Sequence, residues 1–142
     1  MNPTLSIPIS PGELLDKITI LQIKSERIAD PDQRRNVAYE LDLLTGLWSA
    51  AALAVDDDAS RPGISPKPDL EHLKDELKRI NEALWEIEDA IRDCERDSDF
   101  GAHFIELARA VYKTNDRRAA VKRAINDALG STITEEKSYK AY

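Results

Sequence analysis

Leu73, Leu77, Ile80, Leu84, Ile87, Ile91 and Cys94 follow one another in strictly alternating steps of four and three. A strand alternates every second residue and cannot gather this set on one side, whereas a helix tightened slightly to 3.5 residues per turn aligns it as a single seam. Sustained over three heptads, the spacing predicts a long straight helix with a partner laid along it in coiled-coil manner. The chain must therefore supply other helices of comparable length.

It does so with repeated start signals. Ser10 precedes Pro11 and stands three residues before Glu13. That is a capping box with proline at the first helical position, where its missing N–H leaves no bond unmade. "KITILQI" has strand-like content, but Leu14, Ile18, Leu21 and Ile28 keep a 3.6 period and predict a helix from about Pro11 to Ala29. A second apolar line through Ile20 and Ile23 makes this helix either central or interfacial. Asp30, Pro31 and Gln33 repeat the start signal, and Val37, Leu41, Leu44, Trp48, Ala51 and Val55 form the stripe of a second helix that fades near Val55. Asp56 to Asp69, "DDDASRPGISPKPD", holds three prolines, a glycine and an acidic run and reads as a linker. After the heptad helix, "RDSD" supplies a break with new caps. Phe100, Phe104, Leu107, Val111, Ile125 and Leu129 then mark a fourth helix, closed by Gly130 as its C′ residue. Residues 131–142 are polar and read as a tail, or as a strap whose Tyr139 and Tyr142 dock on the bundle. The expected fold is all-α, with four long helices in two antiparallel hairpins forming one domain over 1–142. An elongated dimer competes with the closed four-helix bundle.

Bulk properties exclude several function classes. A chain of 142 residues buries roughly 70% of its unfolded surface, so it needs neither metal nor disulfide to hold a core. Its single cysteine, Cys94, cannot form an internal bridge, and the opening residues lack a leader pattern, so a reducing, cytoplasmic setting is expected. A net charge of −7 disfavours a nucleic-acid binder. The apolar run "WSAAALAV" is too short to cross a bilayer, so no membrane partner is expected. His72 and His103 stand alone, without partners at zinc spacing. No phosphate-cradling glycine loop, nucleophile elbow or His-Cys pair is present.

The anomaly lies in the fourth helix. Counting on from Val111, the apolar stripe meets Asn115, Arg118 and Lys122 before resuming at Ile125. Charges at stripe positions are costly unless they meet acids, a ligand or solvent. Either this part of the helix outruns its neighbours and is wet, or it walls a polar pocket. In the second reading Asn115, Arg117, Arg118 and Lys122 hold a phosphate or carboxylate, arginine as a planar fork and lysine as a point charge. Acidic residues offer a further role. Glu13 and Asp16 lie a turn apart, as do Glu82, Glu86 and Asp89. Such carboxylates on facing helices can hold a divalent metal, or they are a solvated face. Asn81, Trp85, Glu88 and Arg92 form another stripe beside the heptad seam. Neither metal nor cofactor can be assigned from these patterns.

Three segments, "SPGELLDKITILQIKSERI", "LWEIEDAIRDCE" and "FIELARAVYKTNDRRAAVKRAIN", with the closing "GSTITEEKSY", resemble a small all-helical bacterial domain family of uncharacterised function. The resemblance implies one intact domain and an association with surface-polysaccharide or sugar-nucleotide metabolism. It also makes Glu13, Asp16, Lys17, Lys24, Asn115, Asp116, Arg118 and Lys122 parts of a signature, and these eight are the candidate anion-binding residues. "ELLD" and "EIED" are similar to the E-x-x-D pairs of all-helical nucleotide pyrophosphohydrolases, which bind magnesium, although here a hairpin and a linker separate the pairs. "LLDKITILQIKSERI" looks like the first helix of short chorismate mutases, without their full set of substrate-clamping bases. Two functions follow as expectations: a binding or scaffold module that self-associates or meets a helical partner, and a metal-assisted enzyme acting on a nucleotide or another anionic phosphate.

Overall fold

The computed structural model describes residues 3–56 and 69–142, the side chains of 52–56 excepted. The body of the expected linker lies outside the described residues, as does the Val55 side chain. Four helices form: α1 (Pro11–Arg27), α2 (Pro31–Asp56), α3 (Leu70–Arg96) and α4 (Ala102–Ala128), with no strand among the described residues.

Local chemistry accounts for their limits. The Ser10 hydroxyl accepts the Glu13 N–H at 3.2 Å, Asp30 Oδ1 accepts that of Gln33 at 2.9 Å, and Asp69 Oδ1 accepts that of His72 at 3.1 Å. Each bond satisfies one of the backbone donors that a helix start leaves unpaired. α1 ends at Arg27, two residues short of the expected Ala29, because Ile28 turns to extended backbone and its N–H closes the last turn on the Lys24 carbonyl. α4 departs from expectation at its start. Its N-cap is Gly101 with no side-chain cap, and Asp99 of "RDSD" accepts the Gly101 N–H instead. Phe100 lies in the connection, half exposed and edge-on to Phe104. Gly130 ends α4 at φ +64°, a left-handed conformation that glycine adopts without penalty.

α1 is the hub. Among the described residues it packs against all three other helices, α2 approaches α1 alone, and the α3–α4 interface is the most extensive. This position explains the two apolar lines of α1: Leu14, Ile18 and Leu21 of one and Ile23 of the other are buried, as is Leu15, while Ile20 and Ile28 are half-buried. The core joins Leu14, Leu15 and Ile18 to Leu77 and Ile80 of α3 and to Val121 and Ile125 of α4, with Leu41, Leu44 and Trp48 of α2 closing one side. Ala51, expected on the α2 stripe, is exposed. Truncating Leu15 or Ile18 would cost about 2–5 kcal/mol. Along the heptad seam Leu77, Ile80 and Cys94 are buried and the remaining members half-buried.

Hydrogen bonds and ion pairs from α1 to the hairpin all fall on residues 78–86 of α3 and 118–126 of α4. Helices of 27 residues run to ~40 Å against ~25 Å for the 17 of α1, so the turn end of the hairpin projects past it. At the other end α1 meets α4 at Gly12, whose N–H donates to Asn126 Oδ1 at 2.7 Å. A Cβ at this position would lie 2.5 Å from the Lys122 carbonyl oxygen, so only glycine permits so close an approach.

Candidate functional site

Where α1 crosses the hairpin, polar groups interrupt the core. Asp16 is buried, and its Oδ1 accepts a 2.9 Å hydrogen bond from Asn81 Nδ2. The same amide donates to Thr19 Oγ1 at 3.0 Å, while the Thr19 hydroxyl donates to the Asp16 carbonyl at 2.9 Å. Asp16 Oδ2 faces two cations of α4: Lys122 Nζ at 3.5 Å and Arg118 Nε at 4.0 Å. Lys122 also reaches Glu13 at 2.6 Å and Glu135 at 3.2 Å, so three carboxylates surround one ammonium. No buried side-chain N or O atom among the described residues lacks a partner. Completeness matters because a buried charge without its partner costs several kcal/mol.

The electrostatics follow from this geometry. The hydrogen bond from Lys122 is the main cause that holds the Glu13 carboxyl below its ordinary value. Burial works against the Lys122 ammonium, but the bonds to Glu13 and Glu135 and the field of Asp16 outweigh it and raise its pKa. Lys122 is therefore locked in its charged form and is no candidate for a base or nucleophile. Glu135 is held low by Lys137 first and then by Lys122. Burial and the neighbouring Asp99, Asp93 and Asp97 push the Cys94 thiol up, away from the reactive thiolate.

Residues 131–142, the tail or strap of the sequence reading, have no helix or strand, are exposed past Ser131 and touch α4 at a few points. Beyond the Glu135–Lys122 bond, Glu136 comes within 4.0 Å of Arg123. The Tyr142 hydroxyl donates to Asp116 at 2.7 Å, and the Tyr142 ring meets Tyr112 edge-on at 5.3 Å. Tyr139 and Tyr142 each remain 80% exposed, so the strap leans on α4 without burying its aromatic rings. Between strap and helix lies a cleft of about 620 Å³. Its lining holds Arg118, the ion-paired Lys122 and Lys137, and the aromatic walls of Tyr112, Tyr139 and Tyr142, together with Val111, Asn115, Asp116 and Ala119.

Of the eight expected site residues, Glu13, Asp16, Arg118 and Lys122 form one cluster, and Lys17 joins its edge through Glu13 at 3.7 Å. Asn115 and Asp116 line the cleft. Lys24 lies two turns farther along α1, half-buried and without an ion pair among the described residues. Arg117 points elsewhere and is exposed. Glu86 pairs with Arg27 and Glu82 with Lys78. Among the described residues no group of three or more His, Cys, Asp or Glu side chains could hold a metal ion. Sequence reasoning missed Thr19, Asn126 and Glu135, and it placed Asn81 only on a stripe beside the seam.

Residues 66–142 match the model of DUF6165, described as a family of unknown function. No curated protein and no solved structure matches the chain. The matched span contains α3, α4 and the strap, and with them Asn81, Arg118, Lys122, Glu135 and the tyrosine cleft. By a match over more than half its length, the chain belongs to the DUF6165 family, whose function is unknown.

Proposed function

We propose that this protein is a binding module for a small anionic, ring-bearing ligand of nucleotide type, seated in the cleft between α4 and the strap. The observation that carries this reading is the placement of Arg118. Asp16 stands 4.0 Å from its Nε and Asn81 Oδ1 accepts from its Nη1 at 3.4 Å. Guanidinium has five N–H donors, so most of the fork is left for a ligand. Planar forks of this kind take phosphate or carboxylate two oxygens at a time. Tyr112, Tyr139 and Tyr142 offer faces and edges for a ring, and about 620 Å³ is ample for a small molecule. Lys122 is already surrounded by carboxylates, so it contributes field while Arg118 makes the contact. The association with sugar-nucleotide or surface-polysaccharide metabolism that the sequence resemblance implies falls within the same ligand class. Metal-assisted turnover would need donors converging on one ion, which the described residues do not offer.

Thermal-shift measurements with nucleotides, sugar phosphates and inorganic pyrophosphate test the reading. A ligand present at ~100 times its Kd stabilises the fold by about 2.7 kcal/mol, and Arg118→Ala is expected to abolish the shift. A flat response of the wild-type chain across the panel overturns it.

One observation favours a second reading, self-association. Tyr39, Leu43 and Leu47 follow one another at helical spacing on α2, and all three are exposed. Light scattering that gives a monomer mass at high concentration removes this reading. No described helix is long and apolar enough to cross a membrane.

A further inference from the structure

Arg118 and Asn115 line two clefts, not one. On the side away from the tyrosines, residues of α1, α3 and α4 border an open groove of about 610 Å³. Its lining includes Ile20, Leu84, Trp85, Glu88, Asp89 and Arg92. Arg118 stands between two spaces of nearly equal size, each within the range of roughly 300–1,000 Å³ that small-molecule sites occupy.

The two spaces differ in chemistry. On the tyrosine side Lys122 and Lys137 are engaged by Glu13, Asp16 and Glu135, which leaves Arg118 as the cation open to a ligand. In the groove Glu88 and Asp89 balance Arg92 and Arg118, and Arg92 is paired with Glu88, so Asp89 is the carboxylate acceptor left to a ligand. Carboxylates accept hydrogen bonds and cannot donate them, so they favour hydroxyl groups and repel a further phosphate. Trp85 adds an apolar ring face. Its indole is held by Arg27, whose guanidinium lies 5.9 Å from the ring centroid and is paired in turn with Glu86. An aromatic face beside an acceptor suits an uncharged ring bearing several hydroxyls, with C–H groups against the indole and O–H groups toward Asp89.

Resting on the nucleotide reading above, we infer that the ligand has two ends joined through phosphate. Its base lies among the tyrosines, its phosphate link on Arg118 and Asn115, and a sugar ring in the Trp85 groove. The ligand class is a nucleoside diphosphate sugar, and the groove is its sugar subsite.

The chain has two tryptophans, so Trp48→Phe leaves Trp85 as the only indole reporter. The full-length variant is titrated with uridine diphosphate and UDP-glucose, with adenosine diphosphate and ADP-glucose, and with NAD as a two-base ligand. A sugar nucleotide is expected to bind roughly tenfold more tightly than its parent diphosphate and to change Trp85 emission. Asp89→Asn and Trp85→Phe are each expected to bring the two affinities within about twofold while leaving the diphosphate affinity unchanged. Asp89 is exposed, so its variant keeps the test valid if the tryptophan change disturbs folding. Equal affinities with silent Trp85 emission overturn the sugar subsite and leave Arg118-dependent nucleotide binding standing. Preference for NAD overturns the sugar assignment by placing a second base in the groove. No binding by any probe overturns this inference together with the reading on which it rests.

Discussion

Gly12→Ala tests how α1 is seated on α4. The added Cβ would lie 2.5 Å from the Lys122 carbonyl oxygen and 2.8 Å from Asn126 Oδ1, whereas ordinary contact begins at 3.4 Å. α1 must therefore retreat by about 0.9 Å, the difference between 3.4 and 2.5 Å. The Lys122 carbonyl cannot yield instead, because within a helix it is bound to the N–H four residues on. Retreat stretches the 2.7 Å bond from Gly12 N–H to Asn126 and the 2.6 Å bond between Lys122 and Glu13. Overpacking costs about 1–3 kcal/mol, and a buried acceptor left without its donor costs about 1–3 kcal/mol more. Alanine returns at most about 1 kcal/mol through its better helix propensity. The net expectation is a loss of about 1–5 kcal/mol. Unfolding entropy near ~0.3 kcal/mol/K for 142 residues converts this to a fall in Tm of about 3–17 °C. Thermal denaturation followed by circular dichroism measures it, with urea unfolding as a check on ΔG. Gly46→Ala is the matched control: its Cβ would meet nothing within 4 Å on an exposed part of α2, so the same substitution should stabilise by up to about 1 kcal/mol. If the two variants move in the same direction, or if Gly12→Ala melts no lower than wild type, the close approach is wrong.

Other outcomes follow from the same contacts. Lys122→Met leaves the buried Asp16 only Arg118 at 4.0 Å as a cation and Glu13 only Lys17 at 3.7 Å, and should cost about 3 kcal/mol, read by urea denaturation; a loss below ~1 kcal/mol would mean the cluster is not truly buried. The depressed Glu13 and Glu135 carboxyls contribute stability that is present above their ordinary value of 4.5 and lost as pH falls through their lower folded values. The raised Lys122 contributes stability that is complete below 10.5 and lost as pH rises through its higher folded value. A plateau between these limits is expected in a pH series of melts, and Lys122→Met should flatten both flanks. Deleting residues 132–142 removes mostly exposed contacts and should cost no more than about 1–2 kcal/mol. The same deletion takes away Lys137, Tyr139 and Tyr142, so the nucleotide-induced thermal shift should vanish; a shift that survives places the ligand elsewhere.

The candidate site was partly legible because its residues break a local rule. Arg118 and Lys122 occupy positions that the stripe from Val111 to Ile125 reserves for apolar groups, and such a violation is expensive enough to require a reason. Their acidic counterparts could be named from α1, since Glu13 and Asp16 sit one turn apart on a helix already apolar on two sides. The other members could not be found this way. Asn81 reaches Asp16 across 65 residues of sequence, and Gly12 reaches Asn126 across 114. Glu135 comes from a segment with no periodicity, so nothing in its surroundings marks it as a partner of Lys122.

By itself the sequence determined the four helices, the starts of the first two at Ser10 and Asp30, the stop at Gly130 and the long α3 seam. Caps and apolar periodicity act within a few residues, and their energies are set before any helix meets another. Tertiary structure decided that α1, central or interfacial by its two apolar lines, would be the hub, and it alone brought Asp16, Asn81 and Lys122 into one network. It also placed Arg118 on the lining of two clefts, one walled by tyrosines and one by Trp85. These outcomes depend on how closely helices approach, and that distance is set at points such as Gly12, where the absence of a single Cβ lets two backbones touch.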